Sequence, residues 1–343
     1  MADYIVTEVE KNDSAVMKQV DSLLLAEGLR RDGNLDCTAV VYDENFHVIA
    51  TGSAFGNTLR CFAVNAEHRG EGLLNILVNH LVEIEVKRGI THLFLYTKPE
   101  SAGFFSDLGF YEITRVDNSL VFMENKRNGF FSFIEALKQT VTTDKPSACV
   151  VINANPFTKG HKYLIEQAAS FCDSVHIFAV SEDKSVFPFA IRKKLIAEGI
   201  SGMKGLILHE TGPYLISNAT FPTYFFKDDD SAILSQAKLD ASVFGKIAEA
   251  LGIKYRFLGD EPANRVTAVY NEVLSSELPE YGVEVHIIPR LCVDGVPVSA
   301  SKVRDAVRND NYSVLENFLP ESTLSFLKSG DSDEVMERIK SGS

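Results

Sequence analysis

The chain predicts an α/β protein of two blocks: a mixed α/β block first, then a doubly wound block built on a parallel sheet. Three observations carry this. From residue 148 onward, short apolar runs alternate with helical periodicity, the pattern of a parallel sheet with crossover helices. The nonapeptide Asn153-Ala154-Asn155-Pro156-Phe157-Thr158-Lys159-Gly160-His161 links one such run to a helix, and Val298-Ser299-Ala300-Ser301-Lys302-Val303-Arg304 opens another helix much later. In the first block, Arg69-Gly70-Glu71-Gly72 makes a glycine-rich step from strand to helix.

The elements follow in order. Residues 1–125 form the first block. Runs 38–42 and 48–52 read as strands around the turn Asp43-Glu44-Asn45, and 59–64 as a third. Leu73, Leu74, Leu77, Val78, Leu81, Val82 and Ile84 have helical spacing; 92–97 is a further strand, and 120–123 closes the block. Residues 126–147 read as a connector, with a short amphipathic helix at 130–137 and a polar stretch behind it. The second block, 148–325, predicts strands at 148–152, 174–180, 205–209, 254–258 and 283–288. Helices are predicted at 160–170, 189–199, 232–251, 265–276 and 301–308, and the acidic run Asp228-Asp229-Asp230 reads as a loop. Residues 326–343 are a polar, helical tail.

Composition narrows the function. Of 343 residues, 45% are hydrophobic and 24% charged, the balance of a globular protein. A net charge of −13 argues against nucleic acid as partner, because such binding needs a basic face. No run approaches the roughly 18 apolar residues that span a bilayer, and Met1-Ala2-Asp3-Tyr4 lacks the start of a signal peptide, so the expected location is the cytoplasm. The five cysteines include no C-x-x-C pair and read as reduced thiols. No cluster has zinc spacing, and no protein metal site is expected; His176 and His286 read as packing residues.

The chemistry lies at the helix starts. A helix N-terminus presents unpaired N–H groups and the positive end of a dipole, so it suits phosphate. One start carries Thr158 and His161, and the other carries Lys302 and Arg304; two such starts suggest a triphosphate site. Asn155-Pro156-Phe157-Thr158 with Gly160-His161, followed by Ser299-Ala300-Ser301-Lys302 and Arg304, resembles the nucleotidyltransferase superfamily, whose second block is Rossmann-like. That resemblance implies that Thr158 and His161 stabilise charge on the α-phosphate while Gly160 lets the backbone come close. It implies that Lys302 and Arg304 hold the β- and γ-phosphates, that Ser301 caps its helix and donates to phosphate, and that Ser299 stands at the ATP. It places Asn153, Asn155, Phe157 and Arg192 at the nucleotide, with Gly259-Asp260 beside the nucleoside. Many members have Asp where this chain has Asn155, so no acidic role carries over there.

In the first block, Arg69-Gly70-Glu71-Gly72 followed by Ala102-Gly103-Phe104-Phe105 and Gly109-Phe110-Tyr111 resembles GCN5-related N-acetyltransferases (GNAT). It implies that Arg69, Gly70 and Gly72 grip the pyrophosphate of a coenzyme A-like molecule. The two blocks together, with Thr220-Phe221-Pro222-Thr223-Tyr224-Phe225, resemble the ligase family that acetylates the acyl-carrier subunit of citrate lyase. The resemblance implies an acid–thiol ligase that makes acetyl-adenylate from acetate and ATP, with Mg2+ held mainly by the ATP phosphates. The acetyl group would pass to the thiol of the carrier's dephospho-CoA-derived arm, releasing AMP and pyrophosphate. Two other readings share these motifs: a plain adenylyltransferase with a dinucleotide-like product, and a non-catalytic protein that senses ATP and acyl-CoA.

Overall fold

The computed structural model describes residues 4–342 apart from 11, 117, 216–220, 227–228 and 262–264. The chain divides into two compact units: Met1–Phe131 with Phe221–Leu239, and Ser132–Thr220 with Asp240–Ser343. The stretch read from sequence as a continuous second block is thus interrupted by an excursion into unit 1.

Unit 1 runs β1 (Val6–Glu8), α1 (Ser14–Ala26), β2 (Cys37–Tyr42), β3 (Val48–Phe55), β4 (Thr58–Val64), α2 (Leu73–Lys87), β5 (Phe94–Thr97), α3 (Ala102–Asp107), β6 (Tyr111–Val116) and β7 (Leu120–Glu124). Its sheet has the order β1-β2-β3-β4-β5-β7-β6. Neighbours pair antiparallel except β4 and β5, which are parallel. Alternation along β2 sets the two faces: Ala39 and Val41 pack with Leu73, Leu77, Val78 and Leu81 of α2, while Val40 packs with Val20, Leu23 and Leu24 of α1. Asp13 caps α1, its carboxylate accepting from the amides of Ala15 and Val16.

After α4 (Gly129–Lys138), unit 2 continues with β8 (Ser147–Ile152), α5 (Lys159–Phe171), β9 (Val175–Ala179), α6 (Phe189–Gly199) and β10 (Leu206–Glu210). Helix α7 (Asp229–Leu251) brings the chain back from unit 1 to β11 (Ile253–Gly259), α8 (Arg265–Glu277) and β12 (Glu284–Ile288). A small ribbon of β13 (Cys292–Val293) and β14 (Val296–Pro297) precedes α9 (Ala300–Arg308), α10 (Leu315–Phe318), α11 (Glu321–Leu327) and α12 (Asp333–Ser341). The sheet order is β10-β9-β8-β11-β12, parallel throughout. Helices cover both faces of such a sheet, which is why β8 is apolar without alternation. Strand order reverses at β8, and the crevice beyond its carboxyl end is where ligands of these sheets bind.

One local difference from the sequence reading has a plain cause. Asp229 and Asp230, expected in a loop, open α7, and the helix dipole favours a carboxylate in a first turn; Asp228 lies outside the described residues. The tail is helical as expected, and it is packed: Val335 and Ile339 of α12 join Val303 and Val307 of α9 in the unit 2 core.

Candidate functional site

The carboxyl end of β8 turns through Asn153, Ala154 and Asn155, with a cis bond before Pro156, and enters α5 at Thr158. Thr158 and His161 make a reciprocal capping box. The His161 amide donates to Thr158 Oγ1 at 3.3 Å, and the Thr158 amide donates to His161 Nδ1 at 3.1 Å. Because Nδ1 accepts a backbone N–H, the proton of the neutral ring sits on Nε2. Burial, with the charge of Arg290, pushes this imidazole down to about 4, so the ring is neutral at physiological pH. His161 is therefore a fixed N–H donor at a helix start, and it stacks on the buried ring of Phe157.

The second motif lies against the first. Ser299, not Ser301 as the sequence suggested, caps α9, its hydroxyl accepting from the Lys302 amide at 3.2 Å; Ser301 lies within the first turn. Arg304 donates to the Asn155 carbonyl and to Ser301 Oγ. A Cβ on Gly160 would stand 3.3 Å from the Val298 carbonyl, tighter than most such contacts, so glycine lets the two segments close up. Lys302 is exposed and its amine takes no partner among the described residues. Burial lowers Arg304, which lies half-buried beneath it.

Arg192 has a different setting from the one the sequence suggested. It is 0% exposed and donates to the carbonyls of Phe187, Asn153, Val180 and Glu182 and to Asn153 Oδ1. Its donors are engaged by the chain itself. Ala154, between two clamped carbonyls, has φ 51, a left-handed value that is costly for alanine. Arg192 on the Asn153 carbonyl and Arg304 on the Asn155 carbonyl hold the turn there, and Thr323 of α11 donates to the Phe157 carbonyl at 2.8 Å. Asn155 Oδ1 accepts from the Phe187 amide at 3.0 Å. Phe157 is wholly buried in the core.

Gly259 and Asp260 end β11 on the other side of the strand reversal; the Asp260 amide bonds the Ile288 carbonyl at 2.9 Å. Sequence reasoning missed Arg290. It donates to the Asp260 carbonyl at 2.9 Å, pairs with Glu261, and its charge bears on His161. Its one signal was a cation just past the apolar strand end Ile287-Ile288-Pro289.

Unit 1 contains a separate cavity of about 810 Å3. The loop residues Arg69, Gly70 and Gly72 line one part of it, Ala63 and Val64 of β4 another, and Tyr224 and Phe225 a third. Gly70 and Gly72 have φ 88 and 81, left-handed values that favour glycine, and Gly72 stands at the N-terminus of the 15-residue α2. Arg69 pairs with Glu27 at the same cavity. The five cysteines are free thiols; burial pushes Cys61 up to about 12 and Cys149 to about 11. Among the described residues no group of three or more His, Cys, Asp or Glu could hold a metal, and no helix is long and apolar enough to cross a membrane.

Unit 2 is an α/β unit with a parallel sheet and two helix starts joined at its strand reversal, where sheets of this kind bind ligands, and the chain adds a mixed α/β unit with its own cavity. Residues 147–327 match the family model described as the citrate lyase ligase C-terminal domain. Over 331 residues the chain is 36% identical to citrate (pro-3S)-lyase ligase of Escherichia coli, covering 94% of each chain. It is 38% identical to that of Klebsiella pneumoniae over 85% of this chain and 87% of the relative, and 35% identical to that of Haemophilus influenzae over 95% and 98%. The chain belongs to the citrate lyase ligase family. Over 36% of its length it is also similar to the whole of an acetyltransferase of the GNAT family from Staphylococcus aureus, at 17% identity and a TM-score of 0.30.

Proposed function

We propose that this protein activates acetate with ATP and acetylates the thiol of the citrate lyase acyl-carrier arm. In the first step an acetate oxygen attacks the α-phosphorus; the bond to the bridging oxygen breaks and pyrophosphate leaves. In the second, the carrier thiolate attacks the acetyl carbonyl and AMP leaves. The observation that carries the reading is the joined pair of helix starts in unit 2, one with a neutral His161 that keeps its proton on Nε2 and the other with an exposed Lys302. Phosphoryl chemistry of this kind needs alignment and positive charge more than covalent help.

In this reading His161 Nε2–H and Thr158 serve the α-phosphate. Lys302, Arg304 and the amides at the α9 start, with Ser301, serve the β- and γ-phosphates. Mg2+, held mainly by the ATP phosphates rather than by protein ligands, would supply positive charge for the leaving pyrophosphate. Gly259 and Asp260 border the nucleoside, Asn153, Asn155 and Phe157 shape the turn, and Arg192 holds that turn in place. Arg69, Gly70 and Gly72 receive the pyrophosphate of the carrier arm at the α2 start. We place the reaction in the cytoplasm, where the five free thiols would stay reduced. The test is mass spectrometry of the carrier after incubation with ATP, acetate and this protein. A gain of one acetyl group that requires both small molecules is expected, with AMP and pyrophosphate as co-products. No gain, or ADP in place of AMP, overturns the reading.

A further inference from the structure

Strands β4 and β5 pair in parallel only through Thr58 with Phe94 and Leu59 with Leu95. Beyond that point they part. The pairing of β4 with β3 is irregular there too, and Cys61 takes φ 54. Splayed strands leave backbone N–H and C=O groups that must find partners elsewhere. Here the partner is Tyr224, from the excursion into unit 1. Its hydroxyl donates to the Tyr96 carbonyl of β5 at 2.7 Å, and Cys61 of β4 lies in the same buried cluster as its ring.

The side chain is 6% exposed, and burial pushes its pKa well above the usual tyrosine value, so the hydroxyl stays protonated. The segment is firmly held. The Thr223 amide and hydroxyl both donate to Asp32 Oδ1 at 3.1 Å, Asp32 is paired with the buried Arg60 at 3.0 Å, and the Arg30 amide donates to the Tyr224 carbonyl at 2.7 Å. The cavity runs from the Gly70–Gly72 loop back along β4 to a wall made by Tyr224 and Phe225.

We propose that Tyr224 makes this cleft selective for a free thiol arm over its acetylated form. The inference rests on reading the cleft as the seat of the pyrophosphate-bearing arm. An arm anchored at Gly70 and Gly72 lies along β4 with its sulfur toward Tyr224. A thioester there would need room between the strands, and the tyrosine ring with its hydroxyl, held on the Tyr96 carbonyl, already fills that room. The thiol substrate fits and the acetylated product does not, so the product is released.

The probes are dephospho-coenzyme A and its S-acetyl form, titrated calorimetrically into the full-length protein. Rejection of one small added group is worth about tenfold or more, so the thiol form should bind at least that much tighter. In Tyr224→Gly the two affinities should converge. Tyr224→Phe keeps the packing and frees only the place of the hydroxyl; it should narrow the ratio, and it serves if the glycine variant fails to fold by circular dichroism. Equal affinities in the unaltered protein overturn the proposal, as does a preference that survives in a folded variant. Absence of binding by either probe overturns the arm-site reading itself, and the selectivity proposal with it.

Discussion

At the residue level the decisive feature is the tautomer of His161. A backbone N–H cannot accept, so the Thr158 amide fixes Nδ1 as acceptor and leaves the proton on Nε2, the donor proposed for the α-phosphate. His161→Ala should lower acetate-dependent pyrophosphate formation by about 10²-fold, the scale for losing one transition-state donor. With the ring pushed down to about 4, His161 should contribute no acidic limb to the rate between pH 8 and 5; NMR titration of the ring near 6.5 would contradict the assignment. Lys302 gives the complementary test. It is exposed and outside the core, so Lys302→Ala should fold normally yet weaken ATP by about tenfold or more while sparing AMP, because the charge faces phosphates that AMP lacks. Equal weakening of both nucleotides, measured by equilibrium binding, would place the lysine elsewhere. The residue types at these positions were legible because phosphate chemistry restricts them. Burial was not: the resemblance implies Arg192 at the nucleotide, yet Arg192 is fully enclosed and held by the chain's own carbonyls, while the next residue, Lys193, reaches out to Glu210 at 2.6 Å.

At the level of elements, the alternation of strand and helix in unit 2 was readable because both faces of a parallel sheet are covered, which makes the inner strands β8 and β9 largely apolar runs. In unit 1, β1 has only three residues and β6 mixes polar with apolar ones, so neither leaves a periodic trace. The His pair is a case where packing was foreseen and its partner was not. His176 of β9 and His209 of β10 share a hydrogen bond of 2.8 Å inside the unit 2 core, and the ring of Phe178 stacks on His209. Burial pushes both imidazoles down to about 4, and for His209 the charge of its neighbour adds to this. A folded-state pKa below the unfolded value near 6.5 means stability that is full above pH 6.5 and is lost as pH falls toward 4. The melting temperature should drop across that window. His176→Leu combined with His209→Leu should drop less, since neither buried position then gains charge. Parallel melting curves at pH 7.5 and 5 for the two proteins check this; identical losses would show that acid acts elsewhere.

At the level of the molecule, two units with separate cores imply two separable activities. In the proposed reading, activation of acetate falls to unit 2 and reception of the arm to the α2 start of unit 1. Substituting a glycine in the loop tests this division, and the structure says what the substitution does. A Cβ on Gly70 or Gly72 would meet nothing within 4 Å, so the protein itself has room for it. What changes is the backbone, which must keep φ 88 or 81 at about 1–2 kcal/mol for a residue with a Cβ. The added side chain also stands where phosphate oxygens would meet the helix amides. Gly89 supplies the control: it has φ 84 and equally open space, but it lies past the far end of α2 and does not line the cavity. Gly89→Val therefore carries the same strain without the obstruction. Gly72→Val should lose acetylation of the carrier thiol while acetate-dependent pyrophosphate formation continues, whereas Gly89→Val should keep both. Equal loss of the two activities in a folded Gly72→Val protein, or unchanged carrier acetylation, would remove the α2 start from the reaction.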